Sequence, residues 1–102
     1  MTDQEARFHR EVMDGFETAK RQYKYNASYF LRMVSEDGAV GAAKRLLAKD
    51  TISDGFTTLL MHHRLDLTIE AYVIKPEFAE LFTAEEIATA RRRLHEFGYK
   101  PA

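Results

Sequence analysis

Leu67-Thr68-Ile69-Glu70-Ala71-Tyr72-Val73-Ile74 is the stretch on which the fold class turns. Its β-branched and aromatic residues suit a strand, with Leu67, Ile69, Ala71 and Val73 on one face. A strand needs a partner, however, and no second strand-like run occurs. Asp66, just before it, supplies an oxygen of the kind that caps a helix. The stretch is therefore expected to be helical, and the class to be all-α.

The flanking sequence supports this. Towards the C-terminus, Pro76 opens a short helical turn carrying Phe78, Leu81 and Phe82. Thr83-Ala84-Glu85-Glu86 is a capping box, and Ile87, Ala90, Leu94 and Phe97 stripe a last helix that stops at Gly98. Towards the N-terminus, Asp54–His63 reads as a helix with Phe56, Leu59 and Leu60 inward, after turn and cap oxygens at Asp50, Thr51 and Ser53. Residues 39–48 form another helix, striped by Val40, Ala43, Leu46 and Leu47. Gly38 ends the short helix before it, which Asn26 caps and which carries Tyr29, Phe30, Met33 and Val34. Asp3 is expected to cap a first helix with Phe8, Val12, Phe16, Ala19 and Tyr23 at three- and four-residue steps. Gly15 inside that helix costs about 1 kcal/mol relative to Ala, which points to a closely packed neighbour. The expectation is one compact helical domain over residues 1–102, built from five or six short helices.

Composition narrows the function classes. The hydrophobic fraction is 45% and the charged fraction 30%, with five Gly and two Pro, which excludes a disordered or collagen-like chain. Zero Cys leaves no disulfide framework, thiolate nucleophile or Cys-type zinc site. No apolar run approaches a membrane span, and the N-terminal MTDQEARFHR lacks a signal core. A cytoplasmic protein without a membrane partner is expected.

The net charge of −1 hides an asymmetry. Residues 20–49 hold seven cations (Lys20, Arg21, Lys24, Arg32, Lys44, Arg45, Lys49) against Glu36 and Asp37. Residues 66–86 hold six carboxylates (Asp66, Glu70, Glu77, Glu80, Glu85, Glu86) against Lys75. Solvated faces joined by salt bridges between the two regions are the simplest account. Two functional accounts compete with it. The basic region, with Tyr23, Tyr25 and Tyr29 beside it, could face nucleic-acid phosphates while the rings stack on bases. Alternatively it meets a protein with an acidic surface. Under either, the contacting residues are Lys20, Arg21, Lys24, Tyr25, Arg32, Lys44 and Arg45.

From Tyr25 onward the chain resembles a family of small bacterial helical domains. The residues that carry the likeness are Tyr25-Asn26, Tyr29-Phe30-Leu31-Arg32-Met33-Val34, Gly38 and Ala42-Ala43-Lys44-Arg45-Leu46-Leu47. It continues through Ser53-Asp54-Gly55-Phe56-Thr57-Thr58-Leu59, Arg64-Leu65-Asp66-Leu67-Thr68-Ile69-Glu70 and Leu81-Phe82-Thr83. Members are free-standing or appended to other proteins, some of them nuclease- or restriction-like. The resemblance brings no catalytic motif and implies an accessory module. Ala27 and Ala39 stand where the family often has Pro and a second Gly.

Other constellations are weaker. His62, His63 and Asp66 are the only group resembling a metal or acid–base site, and one continuous helix would set His62, Asp66 and Glu70 on a single face. A cap at Asp66 breaks that ladder, and Arg64–Glu70 reads as an ion pair, so neither metal nor cofactor is expected. One residue of Arg91-Arg92-Arg93 is expected at the core edge with its stem buried. Gly38-Ala39-Val40-Gly41 before a basic helix has the pattern of a KH-type phosphate clamp, but that fold needs a three-stranded sheet. No Walker loop, dinucleotide fingerprint, HExxH motif or serine elbow occurs. The expected function is a non-catalytic protein-interaction module, with weak sequence-independent DNA or RNA binding as the alternative. An enzyme or metal site at His62, His63 and Asp66 is more distant.

Overall fold

A computed structural model describes residues 2–100. Five α-helices follow in order: α1 (Asp3–Tyr23), α2 (Ser28–Ala48), α3 (Asp54–Met61), α4 (Ile69–Val73) and α5 (Ala84–Glu96). Single 3₁₀ segments, Leu65–Leu67 and Pro76–Leu81, precede and follow α4. No strand occurs among the described residues, as an all-α domain requires. No helix there is long and apolar enough to cross a membrane.

The ambiguous stretch forms the 3₁₀ turn and α4, and its strand-like composition has a simple cause. Ile69, Glu70, Ala71, Tyr72 and Val73 are all buried, so α4 is enclosed on every side by α1, α2 and α5. A helix buried all round needs no polar face. Its cap is Thr68 rather than Asp66: the Thr68 Oγ1 accepts from the Ala71 amide at 3.2 Å and donates to the Leu65 carbonyl at 2.6 Å. Asp66 lies inside the 3₁₀ turn, where it receives Arg64.

Elsewhere the caps follow local chemistry. Thr2, not Asp3, heads α1, in a reciprocal capping box with Glu5. The Thr83–Glu86 box heads α5 as expected. Asn26 acts one residue outside the cap position, its Oδ1 accepting from the Ser28 amide at 3.0 Å. Helix α3 stops two residues before the expected His63, which adopts a left-handed backbone with φ 60°.

Gly38 breaks α2 with φ 77° and ψ 169°, giving arms 28–37 and 39–48. This is the division expected from the glycine. A side chain is essentially excluded from that backbone region.

The core is aromatic at the α1 end. Phe8 meets Phe78 and Phe82 edge-on at centroid distances of 5.2 and 5.3 Å, and Phe16 lies against Phe30 at 4.6 Å. The neighbour that Gly15 implied is Tyr72, whose hydroxyl occupies the space of a Cβ on Gly15. Burial pushes that hydroxyl up to about 12.

Gly38→Ala is expected to lower unfolding free energy by about 1–3 kcal/mol through backbone strain, since no neighbour lies within 4 Å of an added Cβ. Urea denaturation checks this, with a midpoint unchanged from wild type as the contrary result.

Candidate functional site

A cavity of about 400 Å³ opens between the end of α1, the start of α2 and the turn into α3. That volume lies within the roughly 300–1,000 Å³ of small-molecule pockets. The connection between α1 and α2 builds its mouth. Lys24 ends α1 in a left-handed conformation (φ 55°), and the chain then turns through Tyr25, Asn26 and Ala27 into α2. Tyr25 lies 6.2 Å from Phe16, and its hydroxyl occupies the space of a Cβ on Gly55, close beneath the N-terminus of α3. Burial and the nearby Asp54 carboxylate raise the Tyr25 hydroxyl above its ordinary range.

The apolar walls include Phe16, Tyr25, Phe30, Met33, Phe56, Leu59, Leu67 and Ile69. Tyr29, Lys49 and Asp54 stand exposed at the mouth. Tyr29 is 57% exposed, and Lys49 lies over its ring at 5.1 Å while donating to its hydroxyl at 3.2 Å.

Besides Lys49 and Asp54 at the mouth, one buried charged residue, Glu70, lines the cavity. Glu70 is 2% exposed, and its Oε2 accepts from Arg93, itself 5% exposed, at 3.1 Å. Arg93 also donates to the Leu46 and Lys49 carbonyls at the end of α2. Glu70's own backbone amide also donates to its carboxylate. Burial pushes the Glu70 carboxyl up, against the downward pull of its own backbone amide and of Arg93. One residue of the arginine run was expected at the core edge with its stem buried; Arg93 is that residue, and its guanidinium is buried too. The expected Arg64–Glu70 pair is not formed, because Glu70 points inward while Arg64 chelates Asp66 at 3.1 Å.

The seven basic-region residues named from sequence do not form one surface group. Lys44 is half-buried and pairs with Glu86 at 2.7 Å, which, with the Thr83 amide, holds the Glu86 carboxyl below its ordinary range despite its burial. Arg45 pairs with Asp37 at 2.8 Å and lies 4.0 Å from Glu36. Tyr25 lines the cavity. Lys20, Arg21, Lys24 and Arg32 are exposed, with no carboxylate of a described residue within 4.0 Å.

The histidine group is dispersed. His62 stacks on Tyr23 at 4.4 Å, Asp66 holds Arg64, and Glu70 holds Arg93. His63 is exposed in the turn after α3. These side chains do not converge on one point, and no cluster of three potential ligands occurs among the described residues.

The helix stripes put Phe16, Phe30 and Phe56 on inward faces, and periodicity does not separate a cavity wall from a filled core. One signal was available: Glu70 is the lone charge within an apolar run, and Arg93 falls on the stripe of Ala90 and Leu94. Comparisons with protein-family models, curated proteins and solved structures find no match to this chain.

Arg93→Ala is expected to cost about 3–5 kcal/mol, because it strands a buried carboxylate. Glu70→Leu with Arg93→Met should recover part of that loss but not all, since the α2 carbonyls lose their donor. Chemical denaturation of both variants checks this; equal loss in single and double variants would contradict it. Glu86→Gln should cost about 1 kcal/mol near neutral pH through the cap and the ion pair. Because the folded carboxyl of Glu86 is lowered, that stability is present above the ordinary carboxyl pKa and is lost as pH falls through the folded value. The variant and wild type should therefore converge in stability under acid, as unfolding curves across pH would reveal.

Proposed function

We propose that the chain is a non-catalytic helical docking module that receives a bulky apolar side chain from an acidic segment of a partner protein. The aromatic cavity carries this reading: it is large enough to admit a bulky side chain and is walled by Phe16, Tyr25, Phe30 and Phe56. Anchors buried in such pockets dominate many protein interfaces. Charge complementarity supports the acidic partner. Lys49 stands at the mouth, Lys24 directly precedes Tyr25, and Arg32 lies one turn beyond Tyr29, against Asp54 on the rim. The likeness carried by Tyr25–Thr83 suggests a bacterial setting, with the module acting alone or appended to a nuclease-like protein.

Direct nucleic-acid binding is the second reading, favoured by Lys20, Arg21, Lys24 and Arg32 having no carboxylate of a described residue within reach. Lys44 and Arg45 support it less, being engaged with Glu86 and Asp37.

The test is a low-salt titration with short acidic peptides carrying one central aromatic residue, their alanine counterparts, and single-stranded and duplex oligonucleotides. The docking reading expects the aromatic peptide to bind, with Lys24→Glu plus Lys49→Glu weakening it about tenfold while leaving the fold intact. Oligonucleotide binding alone, with a log–log salt slope of about −0.9 per phosphate contact, would replace it with the second reading.

A further inference from the structure

We infer that the anchor is the C-terminal residue of the partner, its bulky side chain in the cavity and its free α-carboxylate at the mouth beside Lys49. This deepens the docking reading and rests on it. The warrant is a pair of opposite charges on the rim that do not answer each other. Lys49 and Asp54 line the cavity and are exposed, whereas Phe30, Met33, Phe56 and Leu67 in the same lining are buried. Neither Lys49 nor Asp54 has an oppositely charged group of a described residue within 4.0 Å. Lys49 lies instead over the ring of Tyr29, itself an exposed lining residue, at 5.1 Å.

The neutral polar groups of the lining lean towards donation. The Asn26 carboxamide spends its oxygen on the Ser28 amide at 3.0 Å, so its NH₂ is what it offers a ligand. The Ser53 Oγ accepts from the Phe56 amide at 3.1 Å, and its proton remains to be given. The hydroxyls of Ser28 and Thr51 serve in either direction. A rim of one ammonium and several neutral donors suits a carboxylate, with Asp54 left as an acceptor.

Three placements of the anchor in its chain compete. An internal residue brings Lys49 a neutral carbonyl in place of an anion. An N-terminal residue brings an ammonium, which suits Asp54 alone and meets Lys24, Arg32 and Lys49 as like charges. A C-terminal residue carries both complements on one Cα, a carboxylate for Lys49 and a backbone N–H for Asp54. A free apolar amino acid has the same carboxylate, but nothing in it answers Lys24 and Arg32, which the acidic residues of a longer segment do.

The test follows backbone amide shifts of the wild-type protein with four probes. The first is an acetylated peptide of three acidic residues ending in phenylalanine as the free acid. The second is its amide with one more acidic residue at the start, which keeps the net charge equal. The third has the residues of the first with phenylalanine in second place, and the fourth is free phenylalanine. The first should shift the amides of Asn26, Lys49 and Gly55 and bind about fivefold more tightly than the second or third, the scale of one ion pair near solvent. Lys49→Met should bring the first down to the level of the second. Equal binding of the first three probes to wild type, or a preference that survives Lys49→Met, would overturn the carboxylate assignment and leave the docking reading standing. Tightest binding by free phenylalanine would overturn it in favour of an amino-acid site. No binding by any peptide would overturn the assignment and the docking reading together.

Discussion

The contact between Arg93 and Glu70 organises more of this domain than its single ion pair suggests. Arg93 comes from α5, Glu70 from α4, and the carbonyls that Arg93 also reaches close α2. One planar, buried guanidinium therefore ties three helices together. It also places a cation at the carbonyl end of α2, where the helix dipole favours positive charge. The pair is not an economical source of stability. A raised Glu70 carboxyl means that the protonated form contributes stability fully below the ordinary carboxyl pKa, and that this is lost as pH rises through the folded value. What the pair fixes is register. Shifting α5 against α4 would strand two buried charges at once.

That constraint also shapes the cavity. Glu70 cannot withdraw from the inner wall without leaving Arg93, and Leu46, whose carbonyl binds Arg93, lines the same space. On the opposite side, the absence of a side chain on Gly55 lets the Tyr25 hydroxyl come close to α3. The aromatic walls are thus held from two directions, by a charge pair within and a close backbone approach at the mouth. A preorganised wall loses little freedom on accepting a ligand.

Legibility followed the range of the interactions. Helix stripes, the Thr83–Glu86 box and the break at Gly38 are local features, and local spacing exposed them; Gly15 signalled a close neighbour but not that it is Tyr72. Asp66 misled because two cap-competent residues, Asp66 and Thr68, lie two positions apart, and Arg64 claims the first. The candidate site was less readable. Tyr25 and the basic residues were visible as types. The separation of Phe30 and Phe56, which border the cavity, from Phe8 and Phe78, which fill the core, depends on tertiary packing that no periodicity encodes.

Charge shows the same division between composition and placement. A basic region and an acidic region in one short chain suggest mutual cancellation, yet the link between them is narrow. Lys44–Glu86 joins the two, while Arg45 uses Asp37 within its own region. The acidic region is answered mainly from outside the basic one: Arg7 holds Glu77, Arg64 holds Asp66 and Arg93 holds Glu70. Lys75, the acidic region's own cation, turns away to Glu11 on α1. The positive excess around the end of α1 and the start of α2 is therefore left facing solvent beside the cavity mouth. In the docking proposed above, that field would act on an approaching partner before the buried contacts form, so charge would govern the approach and the aromatic walls the hold.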